Sequence, residues 1–116
     1  MVDEEEYDFG CRETGGAAKE KSHGNLANFT EHGMRSVKET TRRADAFKAL
    51  AKSVGVSVKD IYWTLGRYDI VSIIDAPDDT TVTALGLSLG KAGNIRTETL
   101  RAFSQADMSA VLDKVV

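Results

Sequence analysis

The chain has 116 residues, a formal net charge of −3 and a single cysteine, Cys11. That length fits one domain with one core, the lone cysteine excludes an intramolecular disulfide framework, and no apolar run approaches the roughly 18–20 residues of a membrane-spanning helix. Residues 1–24 carry seven acids and three bases, residues 25–116 eleven acids and twelve bases, so the remainder is nearly neutral and lacks the basic face expected of a nucleic-acid binder.

Residues 1–24, with Asp3-Glu4-Glu5-Glu6 and Gly15-Gly16, offer few large apolar groups beyond Tyr7 and Phe9. Such a segment cannot offset its ordering entropy and predicts a disordered acidic tail, leaving residues 25–116 as the folded domain. Leu26, Ala27 and Phe29 predict a first strand, preceded by Ser22-His23-Gly24-Asn25, which are not strand formers. A turn follows at Thr30 to Gly33, then a short helical turn over Met34 to Val37.

The spacing of Ala44, Phe47, Leu50, Ala51 and Val54 predicts a helix over 41–54, with Thr40 or Thr41 as N-cap and Gly55 ending it. Val58 to Leu65 and Ile70 to Ala76 read as two strands joined by the turn Gly66-Arg67-Tyr68-Asp69. Asp78 or Asp79 can cap a helix with the stripe Val82, Leu85 and Leu89, which Gly93-Asn94 ends. Gly86 and Gly90 inside it each cost about 1 kcal/mol against alanine, which predicts another backbone close by. Asn94 to Phe103 forms a last strand. Ser104 with Asp107 opens a terminal helix with the stripe Met108, Val111, Leu112 and Val115.

The order is β-α-β-β-α-β plus a helix. It predicts an α+β, ferredoxin-like fold: an antiparallel four-stranded sheet with two helices on one side. Along 70–76, Ile70 and Ile74 face one way and Val71 and Ile73 the other. In the preceding strand Ile61, Trp63 and Leu65 alternate with Val58, Tyr62 and Thr64. Both faces are apolar, yet two helices cover one. Leaving four or five large side chains wet forgoes about 10 kcal/mol, at roughly 1.5–3 kcal/mol each. The second face therefore calls for a cover: a second copy of the chain or, as the rival, the terminal helix.

Ala27-Asn28-Phe29-Thr30 with Gly33, Ile61 to Val71 (IYWTLGRYDIV) and Gly93 to Phe103 (GNIRTETLRAF) resemble the GYD-domain family, named for Gly66-x-Tyr68-Asp69. The resemblance implies a dimeric α/β barrel in which two ferredoxin-like sheets face one another, and it brings no established activity. The chain departs from the family at Ser22-His23-Gly24-Asn25, where several apolar residues are usual.

Candidate catalytic residues are Asp69 and Tyr68, a carboxylate beside a phenol at the hairpin turn, and His32 beside Glu31. Turn chemistry explains Asp69 equally well. Candidate ligand-binding residues are Trp63 and Tyr62, which could stack a flat molecule, and Arg96, Glu98 and Arg101 on the last strand, where Arg96 with Glu98 or Arg101 could hold a carboxylate or polarise a carbonyl. Of these, Arg96, Glu98, Leu100 and Ala102 share one strand face and Ile95, Thr97, Thr99, Arg101 and Phe103 the other. His23, His32 and Cys11 show no metal-ligand spacing, and no phosphate-binding glycine loop occurs.

Two functions follow. The first is a cytoplasmic homodimer that closes, or binds a small molecule in, the space between two sheets. The second is a cofactor-free isomerase or oxygenase acting on a small carbonyl or aromatic compound. Neither reading needs a cofactor, a metal, nucleic acid or a membrane. A hollow polar space between the sheets would favour the second, and filling by Trp63, Ile70, Ile74 and Leu100 the first.

Overall fold

The computed structural model describes residues 20–116; Tyr7, Phe9, Cys11 and the acidic run lie outside them. In chain order the elements are β1 (Lys21–Phe29), α1 (Glu31–Arg35), one 3-10 turn (Val37–Glu39), α2 (Thr40–Ser53), β2 (Ser57–Trp63), β3 (Ile70–Ala76), α3 (Asp79–Ala92), β4 (Ile95–Ala102) and α4 (Gln105–Leu112). The four strands form one antiparallel sheet in the order β2-β3-β1-β4. With α2 and α3 as the crossovers, this is the ferredoxin-like arrangement expected from the element order.

β1 begins at Lys21, so Ser22 to Asn25 belong to the strand and not to a leading segment. The reason is position: β1 is central, paired with β3 and β4 along its length. Two full ladders of backbone hydrogen bonds outweigh the low strand propensity of Ser, Gly and Asn. The side chains of His23, Asn25 and Ala27 alternate inward and are buried.

The helix start also differs from expectation. Glu39 is the N-cap of α2, without a side-chain bond, and Thr40 is already helical, because the 3-10 turn feeds straight into the helix. Asp78 caps α3 by accepting from Thr81 N–H at 2.8 Å. That bond holds the Asp78 carboxyl below the usual carboxylate range. Gly93 ends α3 in the left-handed conformation, φ 84°. Ser104 and Asp107 form the reciprocal capping box of α4.

The core of Ala51, Val56, Ile74, Ala76, Val82 and Leu85, flanked by Phe47 and Val58, lies between the helices and one end of the sheet. An irregularity between Val58 and Asp60 sets Val58 opposite Ile74 and Ile61 opposite Ser72. Val58 therefore shares the helix-covered face with Ile61 and Trp63, correcting the simple alternation that grouped it with Tyr62. Leu65 lies beyond β2 and is fully exposed. Thr64 turns the chain there, its N–H donating to Asp69 O and its hydroxyl to Tyr68 O.

The glycines of α3 also correct an expectation. A Cβ on Gly86 would meet only Thr97 Oγ1 at 3.7 Å, and one on Gly90 nothing within 4 Å, so no backbone packs against either. The tight contact is at Gly33, where a Cβ would fall on the backbone carbonyl of Asn94. Thr30 fastens this approach, donating its N–H to Asn94 O at 3.1 Å and its hydroxyl to Gly93 O.

Candidate functional site

The register sorts the sheet into two surfaces. Toward the helices point His23, Asn25 and Ala27 of β1, Ile70, Ser72 and Ile74 of β3, Val58, Ile61 and Trp63 of β2, and Ile95, Thr97, Thr99 and Arg101 of β4. The opposite face carries Leu26, Val71, Ile73, Tyr62 and Leu100, with Asn28, Arg96 and Glu98 along one side. No helix covers it. α4, the rival cover, makes no extensive contact with any strand and leaves Met108, Val111 and Leu112 exposed. Tyr62 and Leu100 are 58% and 48% exposed, so an apolar surface bounded by polar groups stands open to solvent.

At the edge of this open face Tyr68 Oη donates to Glu98 Oε1 at 2.9 Å. Because the carboxylate stabilises the neutral phenol, the bond raises the Tyr68 pKa above its ordinary value. Arg67 stacks over the Tyr68 ring at 5.7 Å. The structure thus joins Tyr68 and Glu98, taken separately from sequence as a base partner and a ligand residue. Arg96 is on the same face, whereas Arg101 is on the other, donating to the carbonyls of Ser22 and Ala102 and stacking over Phe103. A single anion site made by Arg96 and Arg101 is not formed within the chain.

Asp69 fastens the hairpin to the central strand. Its Oδ2 accepts from Phe29 N–H at 2.9 Å and its own N–H donates to Ala27 O at 2.9 Å. His32 is exposed on α1. Trp63 and Tyr62 lie on opposite faces and cannot stack one ligand between them; Trp63 Nε1 donates to Thr40 Oγ1 at 3.0 Å, tying β2 to α2. The residues available to fill a space between two sheets are therefore Leu26, Val71, Ile73 and Leu100, and not Trp63, Ile70 and Ile74, which face the helices.

Two features of the helix-covered side escape a reading by motif. His23, 2% exposed, has Nε2 at 3.2 Å from Asp79 Oδ1 and Nδ1 at 3.2 Å from Lys21 O. Beyond the filled core, the space between α2, α3 and the sheet is hollow: a cavity of about 280 Å³ bordered by Asn25, Ala27, Ser72, Ala44, Phe47 and Leu89 among others. Alternation from Ala27 back through Asn25 to His23 is the available signal, and the low strand propensity of Ser22 to Asn25 obscures it. Among the described residues no group of three or more His, Cys, Asp or Glu side chains could hold a metal ion, and no helix is long and apolar enough to cross a membrane.

The GYD domain model matches residues 25–112. A protein of Thermus thermophilus described as a glutamine synthetase and cystathionine beta-lyase binding protein is 35% identical over 88 residues, covering 75% of this chain and 93% of that protein. No solved structure matches significantly. With the family match spanning most of the chain and carrying the Gly66-Arg67-Tyr68-Asp69 turn, this protein belongs to the GYD domain family.

Proposed function

We propose that this chain is a non-catalytic, homodimeric binding module whose physiological partners are proteins. The observation that carries the proposal is the uncovered apolar face of the sheet. Leu26, Val71, Ile73, Tyr62 and Leu100 form a continuous patch on three adjoining pairs of strands, and burying such a patch against its own copy recovers about 25 cal/mol per Å² of apolar area. A protein-binding role draws on the relative from Thermus thermophilus, whose description names two enzymes as its partners. Of the catalytic candidates, Asp69 is engaged by Phe29 N–H and Tyr68 by Glu98, which gives both a structural occupation.

A second reading places a small molecule between the paired sheets. It draws on Glu98, Tyr68 and Arg96, polar groups on the same face, and it is the setting in which an isomerase or oxygenase activity would arise.

Light-scattering chromatography over a concentration series tests the pairing. The wild type elutes with twice the chain mass, and Leu100→Asp, which puts a charge in the patch, shifts it to the monomer without loss of circular dichroism. A monomeric wild type refutes the proposal. Co-elution with purified glutamine synthetase or cystathionine beta-lyase tests the partner class.

A further inference from the structure

The cavity on the helix side of the sheet is a site of a different kind. We propose that it binds a small, neutral, largely apolar compound bearing one hydroxyl donor, of the phenol class, with Asn25 as the polar anchor.

The first ground is volume. About 280 Å³, partly open to solvent, lies unfilled between α2, α3 and the sheet, just below the size of ordinary ligand pockets. Small side chains, Ala27, Ala44 and Ser72, border it, while Ile74, Val82 and Leu85 fill the neighbouring core. Its remaining walls are mainly aromatic and aliphatic, among them Phe29, Phe47 and Ile70.

The second ground is independent. Asn25, on the central strand between Ser72 and Thr99, is 7% exposed and borders the cavity. Its Oδ1 is buried with no hydrogen-bond partner among the described residues. Leaving a buried acceptor unmet is costly, and native interiors avoid it unless something supplies the donor. A turn of the Asn25 amide about its terminal torsion brings Oδ1 to the cavity that the residue borders, where a ligand hydroxyl is such a donor. Charge is not called for. Among the described residues the one cation at the cavity, Arg43, spends its guanidinium on the carbonyls of Ser36 and Gly33 and on the Ser36 hydroxyl.

This site is separate from the face proposed for pairing, so its failure leaves that reading intact. The test is calorimetric titration of the full chain with 4-ethylphenol and with ethylbenzene, which differ by the hydroxyl. The wild type binds both and prefers the phenol by about two- to tenfold, the range one neutral hydrogen bond spans. Asn25→Leu, which keeps the branched four-atom side chain and removes the acceptor, keeps ethylbenzene binding and abolishes the preference. Ala44→Phe, which fills the cavity, binds neither compound and melts no lower than the wild type. The proposal is overturned if the wild type binds neither compound at millimolar concentration or binds both equally. It is equally overturned if Asn25→Leu keeps the preference, or if a folded Ala44→Phe binds as the wild type does.

Discussion

Replacing Asp69 separates a structural from a catalytic meaning of the turn that names the family. Asp69→Ala removes the carboxylate that accepts Phe29 N–H at 2.9 Å and leaves the amide at the end of the central strand without that partner. Stranding a half-buried donor whose partner was charged costs about 1–3 kcal/mol. The backbone bonds from Asp69 N–H to Ala27 O and from Thr64 N–H to Asp69 O survive, so the hairpin persists and the loss stays near 2 kcal/mol. With a urea slope of about 1–2 kcal/mol/M for a domain this small, the unfolding midpoint falls by about 1–2 M. Asp69→Asn retains an oxygen in the same place and exchanges a charge-assisted bond for a neutral one, so it loses less than half as much. Urea unfolding followed by circular dichroism reads both variants. If Asn destabilises as much as Ala, or if neither moves the midpoint, the structural account of Asp69 fails.

Two further expectations concern packing and charge. Gly33→Ala drives a methyl group into the Asn94 carbonyl and pries Thr30 from Gly93 and Asn94; it costs about 2–4 kcal/mol from overpacking and lost hydrogen bonds. Gly86→Ala, with only Thr97 Oγ1 at 3.7 Å, is neutral or gains up to about 1 kcal/mol of helix propensity, and thermal melts that rank the two variants the other way would contradict the packing described. The Tyr68 hydroxyl titrates above its ordinary value of 10.0 because of its bond to Glu98. Since the folded state favours the neutral phenol, the stabilisation is present below the ordinary phenol pKa and lost as pH rises through the folded one. Glu98→Gln returns the titration, followed by NMR of the tyrosine ring, toward the ordinary value; an unchanged curve would rule out the coupling.

Local chemistry made much of this protein legible in its residues. Strand alternation in Ile70 to Ala76, the helical stripe of Val82 and Leu85, the caps at Asp78 and Ser104 and the left-handed Gly93 are each decided within a few residues, and their order is enough to give the ferredoxin-like sheet. The two apolar faces of β3 likewise announced a surface that two helices cannot cover. Other features depend on neighbours distant in the chain. Ser22 to Asn25 become strand because β3 and β4 flank them; the irregularity at Val58 reassigns a face because β3 sets its register. Tyr68 meets Glu98 across 30 residues. Gly33, and not Gly86, is the close approach, since Asn94 arrives from the far end of α3. The cavity is the clearest case. Each small residue around it is unremarkable in sequence, and only the placement of α2 and α3 over the sheet leaves the volume that Ala27, Ala44 and Ser72 do not fill, with Asn25 beside it. A hollow is a property of what several distant segments fail to occupy together, and no local pattern encodes it.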